Sequence, residues 1–310
     1  MMLQSVSFLT GKNRCFILII NRNYSTNNFS MSGMIKKSIK KVVGNLGYSI
    51  NKRIPEKQPA VSIVESNPFI GYDFAKEGFD AVQLTEEYSM LAPINLFTLY
   101  EQAVYCEQKN IPGCFVECGV WKGGAVGIMA KANLDFGNSR REIHLFDAFD
   151  DICPPDANID GEKAIKDAKE IMGLKNEEAM KGQLNSVKGA YDKMGGHGTI
   201  DICKKLLVNI IKYPSTKIHY HKGWFQETIP VDKNKIDSIA ILRLDGDWYD
   251  SIKICLENLY DKVERGGLIV IDDYGYYEGC TKAVDEFLEQ RNIKTFLSYS
   301  RPGCRYFVKP

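Results

Sequence analysis

The sequence predicts an α/β protein built on a doubly wound, mostly parallel sheet, and three observations lead to that expectation. From Gly113 onward, short apolar runs alternate with stretches of helical periodicity, the pattern of strands wrapped by helices on both faces. Runs in this region finish at Gly119, Asp147, Gly223, Asp245 and Asp272, and in such sheets ligands gather at the carboxyl ends of the strands. Finally, the apolar run IAILRLDGDWYD, 239–250, closes in Asp245, Asp247 and Asp250, and LIVI then closes in Asp272 and Asp273.

The elements follow in order. Residues 1–55 hold nine Lys or Arg and no Asp or Glu, which leaves 31 basic against 39 acidic residues in the rest of the chain. Within this basic extension, CFILII at 15–20 is shorter than the roughly 20 residues that span a bilayer, and no small-residue cleavage pattern follows it. The Ser- and Asn-rich, acid-free composition of residues 1–30 suits an organelle transit peptide, and equally an upstream extension before a start at Met31 or Met34. A cytoplasmic location is expected in the second case, a mitochondrial matrix or other organelle in the first. MIKKSIKKVVGNLGYSINKR, 34–53, reads as a peripheral amphipathic helix with a lysine-rich outer face. Residues 56–90 read as a linker and peripheral segment, with Pro55, Pro59 and Pro68 nearby, and INLFTLYEQAVYCEQ, 94–108, as an amphipathic helix entering the core.

The sheet domain, 91–310, then places strands at CFVECG, EIHLFD, KIHYHKG, SIAILRLD, LIVIDD, TFLSYS and CRYFVKP, with helices from about Gly124, at 248–262 and at 279–291. Between Ala148 and Ser215 the chain is long and polar, with one helix expected around 161–188. So long a connection between two strands is expected to form a lid, over about 150–215.

Composition narrows the function. A chain of 310 residues with 44% apolar residues, 11% aromatics and net charge +1 is neither disordered nor charged like a nucleic-acid binder. Nine cysteines, an odd number without a CxxC pair, read as reduced core residues. His144, His197, His219 and His221 are scattered, and HExxH, GxSxG and GK[ST] are missing, which argues against zinc, serine-hydrolase and P-loop chemistry.

What remains is a glycine loop and a set of carboxylates. FVECGVWKGG sets Glu117 at a strand end and Gly119, Gly123 and Gly124 in the loop that opens a helix, where sharp turning and free N–H groups suit a bound ligand. The spacing is not GxGxxG. Asp147, 30 residues on, can accept from both ribose hydroxyls of a nucleoside cofactor, or simply form a turn. Asp245, Asp272 and Asp273 end two neighbouring strands, and like charges brought together need a cation or a proton. An all-oxygen set suits Mg²⁺; the alternative is that Asp247 and Asp273 cap helices.

The segments GCFVECGVWKGGA, HLFDAFDDICPP, KGWFQETIP, LRLDGDWYDS, GGLIVIDDYG and GCTKAVDEF together resemble the macrocin O-methyltransferase family, Mg²⁺-dependent enzymes that use S-adenosylmethionine to methylate sugar hydroxyls. The resemblance spans about 90–310 and implies a class I methyltransferase sheet. It implies a cofactor over Glu117, Gly119, Gly123 and Gly124, with its ribose on Asp147 and its adenine near Gly223, Trp224 and Phe225. It implies Asp245, Asp272 and Asp273 as metal ligands and Asp247 as general base. One departure is Ala125, where the family commonly has Ser.

The function expected is therefore S-adenosylmethionine- and Mg²⁺-dependent O-methylation of a sugar or glycosylated small molecule. A catechol-like phenol is the alternative acceptor, given Trp224, Trp248 and Tyr274, and a non-catalytic protein that kept the fold is the third reading. No nucleic-acid partner and no transmembrane segment are expected; a homo-oligomer stays open.

Overall fold

The computed structural model describes residues 5–8, 16–19, 73–301 and 303–310. The chain divides into Met1–Ser66 and Asn67–Pro310. In the first unit, β1 (Ser5–Phe8) and β2 (Phe16–Ile19) pair antiparallel, so most of the CFILII run is a strand. The basic helix expected at 34–53 and the first part of the 56–90 segment, up to residue 72, lie outside the described residues. Among the described residues no helix is long and apolar enough to cross a membrane.

The second unit holds a seven-stranded sheet. Its strands are β3 (Cys114–Cys118), β4 (Ile143–Asp147), β5 (Ile218–Lys222), β6 (Ile239–Leu244), β7 (Val263–Tyr274), β8 (Ser298–Arg301) and β9 (Gly303–Val308). They lie in the order β5-β4-β3-β6-β7-β9-β8. The first five are parallel; β9 runs antiparallel to both β7 and β8. The chain begins in the middle, winds out to β5 and returns to β6, so β3 and β6 flank the switch point where doubly wound sheets bind ligands.

Helices cover both faces, which explains why the central strands read as continuous apolar runs. Successive side chains nevertheless alternate. Phe115, Ile241, Leu268 and Val270 belong to one core, and Val116, Leu242, Leu244, Ile269 and Ile271 to the other. Helices α1 (Ala75–Thr85), α2 (Pro93–Gln108) and α3 (Gly124–Phe136) contribute to the first core. Pro93 sits in the first turn of α2, where its missing N–H costs nothing. Gly78 lets α1 approach α2, since a Cβ there would lie 2.4 Å from the Phe97 ring. The chain read only as a linker and peripheral segment, 56–90, thus includes a packed helix.

The polar connection differs from expectation. The helix placed at 161–188 is regular only over α4 (Gly161–Glu170), because Gly173 and Gly182 each take positive φ and interrupt the continuation. A second helix not foreseen, α5 (Ile200–Lys204), is capped by the Thr199 hydroxyl, which accepts from the Ile202 N–H at 3.2 Å, and continues as a π-turn over Lys205–Ile210. Helices α6 (Phe225–Asp232), α7 (Tyr249–Leu259) and α8 (Glu278–Gln290) cover the opposite face.

Eight cysteines are described, and all are free and buried. The histidines are less scattered than their spacing suggests, because parallel pairing sets His144 opposite His219 and Phe146 opposite His221. His144 Nδ1 lies 3.0 Å from His221 Nε2, whose Nδ1 lies 2.7 Å from Asp232 Oδ2. Burial, reinforced by the neighbouring His219 and His221, pushes His144 down from 6.5 to about 3. A depressed imidazole pKa means the stabilising difference is intact above about 6.5 and is lost as pH falls towards 3, because the unfolded chain takes up the proton first. Each pH unit in that window is expected to cost about 1.4 kcal/mol. Unfolding midpoints between pH 7 and 5 check this, and His144→Phe should flatten the slope; an unchanged slope would assign the acid sensitivity elsewhere.

Candidate active site

The carboxyl ends of β3, β4, β6 and β7 open onto a cavity of about 630 Å³. Glu117, Gly119, Gly124, Ala125, Asp147, Gly223, Trp224, Phe225, Asp245, Asp247, Asp272 and Asp273 all line it. Gly123 does not; an added Cβ there would meet Cys203 Sγ at 3.3 Å. The connection after β4 supplies another wall through Ile152, Cys153, Asp167, Met172 and Tyr191.

Close packing constrains the glycine loop. A Cβ on Gly119 would lie 1.8 Å from the Asp245 carbonyl oxygen, and one on Gly124 would lie 2.6 Å from Ser89 Cβ. These glycines therefore let protein segments meet, whereas the sequence suggested room for a ligand. Asp147 braces the same loop. Its Oδ2 accepts from the N–H groups of Val120 at 2.6 Å and Trp121 at 3.1 Å, and its Oδ1 from the Phe149 N–H. The turn-forming role is thus present; burial, only partly offset by these bonds, raises its pKa.

Next to this loop, the oxygens that converge belong to Asp245, Asp247 and Asp273, and they lie within 4.8 Å of one another. This is not the trio anticipated. Asp272, 7% exposed, turns to Arg243, whose Nη2 donates to its Oδ2 at 2.9 Å. Neither Asp247 nor Asp273 caps a helix. The α7 N-terminus is served by Asp160, whose Oδ1 accepts from the Tyr249 N–H at 2.7 Å. Burial lifts Asp160 to about 6, and through it the connection is fastened to the sheet domain. Asp250 is an exposed acid in the first turn of α7, where the helix dipole favours it.

Asp247 and Asp273 adopt φ of 56° and 62°. Trp121 and Phe149, in the loops after β3 and β4, also take positive φ, at 49° and 48°. Left-handed backbone at non-glycine residues stores strain and clusters where side chains must be aimed. Burial first, then the surrounding carboxylates, push both Asp247 and Asp273 well above the usual range. A protein paying that cost without a cation would be expected to hold a proton between them.

Arg243 was missed in the sequence, although an arginine inside IAILRL is the only charge in an otherwise apolar strand. It is 2% exposed and stands opposite Glu117 in the β3–β6 register. Its Nη1 donates to Glu117 Oε1 and, at 2.9 Å, to Asp245 Oδ2. Glu117, 1% exposed, is pushed up to about 8 by burial despite that arginine. Its Oε2 is buried without a hydrogen-bond partner, which leaves an acceptor for a donor group entering the cavity.

The residues fit both groups the sequence implied. Three hard oxygen donors with unbalanced charge suit Mg²⁺, and the orphan Glu117 oxygen beside a cavity of this volume suits the amino-acid end of a sulfonium cofactor. Strand order, the antiparallel β9 and β8 edge and the position of the cavity define a class I methyltransferase fold. The O-methyltransferase NovP has the same architecture, with a TM-score of 0.57 and 26% identity over 72% of this chain and 82% of that one. The chain belongs to the macrocin-O-methyltransferase (TylF) family, which it matches over residues 55–195 and 211–309.

Two curated relatives are informative. Demethyldecarbamoylnovobiocin O-methyltransferase of Streptomyces niveus is 31% identical over 190 residues, 60% of this chain and 62% of that one. The 8-demethyl-8-(2,3-dimethoxy-alpha-L-rhamnosyl)-tetracenomycin-C 4'-O-methyltransferase of Streptomyces olivaceus is 27% identical over 201 residues, 63% of this chain and 66% of that one. This chain thus spans just under two thirds of the length of each. The segment between the two family matches, 196–210, includes α5 and its π-turn. It packs on the glycine loop: Trp121 Nε1 donates to the Gly196 carbonyl at 3.2 Å, and Cys203 Sγ lies 3.7 Å from the Trp121 carbonyl.

Proposed function

We propose that this protein is an S-adenosylmethionine- and Mg²⁺-dependent O-methyltransferase acting on a hydroxyl of a sugar or glycosylated small molecule. The observation that supports it most is the convergence of Asp245, Asp247 and Asp273 in the same cavity that the orphan carboxylate oxygen of Glu117 borders. When bound, the sulfonium cofactor supplies an electrophilic methyl group and the cation lowers the pKa of an adjacent hydroxyl. Asp245 and Asp273 would hold the cation, with Asp272 supporting Asp245 through their shared Arg243. Asp247 would accept the hydroxyl proton, its oxygen lying within 4.8 Å of those of Asp245 and Asp273. Glu117 and Asp147 would orient the cofactor, and Gly223, Trp224 and Phe225 would flank its base. The connection 150–215 would exclude water by closing over the acceptor.

Trp224, Trp248, Tyr276 and Tyr277 also line the cavity and leave a phenolic acceptor as a second reading, although the rhamnosyl acceptor in the name of one relative favours a sugar. A panel of glycosides, nucleotide sugars and catechols with methyl-labelled cofactor, with and without Mg²⁺, separates the two. Label transfer to a glycoside only when Mg²⁺ is present is the expected result. Transfer confined to catechols would reassign the acceptor, and full transfer after chelation would remove the cation from the reaction. Cofactor binding without transfer to any acceptor would favour a non-catalytic protein.

A further inference from the structure

Arg243 is the one cation bonded to both halves of the site among the described residues. Its Nη1 is shared by Glu117 at the cofactor end and Asp245 at the aspartate end, while Nη2 holds Asp272. A guanidinium is planar and permanently charged, and its donors leave in fixed directions. One such group facing three carboxylates on three adjacent strands divides its charge among them, with little solvent to screen the division at 2% exposure. The division has a sign. A cation approaching Asp245 must overcome the positive group already resting on that carboxylate and on Asp272. Glu117 draws part of that positive charge towards β3. Without the Glu117 charge, the whole of it would bear on Asp245 and Asp272.

We propose that Arg243 is a positioning residue that transmits the charge at Glu117 to the aspartate cluster, so that the cofactor end of the cavity sets cation affinity at the acceptor end. This rests on the reading that a divalent cation binds the aspartates. Asp147 provides the internal comparison. It is another acid lining the cavity, but its oxygens rest on the backbone N–H groups of Val120, Trp121 and Phe149, with no bond to Arg243.

The test is the affinity of the full chain for Mn²⁺, read from the electron paramagnetic resonance of the free ion, without cofactor and at about pH 8.5, above the value of about 8 to which burial pushes Glu117, so that its carboxylate carries the charge. Glu117→Gln keeps an oxygen for Arg243 and removes the charge; it is expected to weaken Mn²⁺ binding about five- to tenfold. Asp147→Asn is expected to change it less than about twofold. In an Arg243→Lys background, where an ammonium cannot span all three carboxylates, the Glu117→Gln effect should shrink to less than about twofold. If that background does not fold, the comparison of Glu117→Gln with Asp147→Asn still decides. Equal losses from those two would assign the effect to the general negative field and overturn the role of Arg243. So would unchanged Mn²⁺ affinity in Glu117→Gln, or a full effect persisting in Arg243→Lys. A wild-type chain that binds no Mn²⁺ would instead defeat the cation reading itself.

Discussion

Asp247→Asn is expected to cut methyl transfer by about 10²-fold or more, the usual loss for a removed general base, while S-adenosylhomocysteine affinity stays within about threefold. The substitution is well suited to isolate proton acceptance. Asp247 sits at φ 56°, and Asn is one of the few side chains that tolerate that left-handed backbone, so the loop keeps its shape. The same change removes a carboxylate whose pKa is raised by burial and by Asp245. In cation-free buffer the variant should therefore be more stable than wild type, by about 1 kcal/mol. Turnover and stability move in opposite directions, which a loss of folding cannot imitate. Single-turnover assays and thermal unfolding give the two numbers; a variant retaining more than about a tenth of wild-type turnover would take the proton away from Asp247.

Gly119→Ala is expected to be among the most damaging single methyls in the sheet domain. The added Cβ would lie 1.8 Å from the Asp245 carbonyl oxygen, and the backbone there has φ of 90°, which L side chains rarely adopt. Neither problem is relieved by a rotamer change, because the obstacle is backbone. The ends of β3 and β6 must part, and the Asp245 N–H bond to the Cys118 carbonyl, 2.8 Å, is stretched with them. A stability loss of about 3 kcal/mol or more follows from overpacking and backbone strain together. Gly275→Ala is the comparison: it has similar φ, 82°, but nothing among the described residues within 4 Å of the new Cβ. If both cost the same in chemical denaturation, backbone strain alone explains the effect and the close approach of β3 to β6 is unimportant.

Much of the site was legible because its acids terminate apolar runs. In a parallel sheet those termini share one edge, so Glu117, Asp147, Asp245, Asp272 and Asp273 could be brought to one place from their positions in the chain. The polar connection was legible only as a connection. Its single expected helix broke at glycines with positive φ, and α5 was hidden in a segment whose partner is the glycine loop, far away in sequence. Likewise, Gly119 and Gly124 announced a close approach, and the three-dimensional packing identified what approaches them.

The sequence by itself determined the layered α/β fold, the edge of the sheet where chemistry gathers and the oxygen-rich character of that edge. These follow from local periodicity and from the rule that charges are not placed in a core without purpose. The tertiary structure decided which carboxylates face one another. Glu117, Arg243 and Asp272 lie on different strands, and their meeting depends on register, which a shift of one residue would reverse face by face. It therefore turned Asp272 towards Arg243, gathered Asp245, Asp247 and Asp273 around a common point, and gave the cap of α7 to Asp160 from the distant connection.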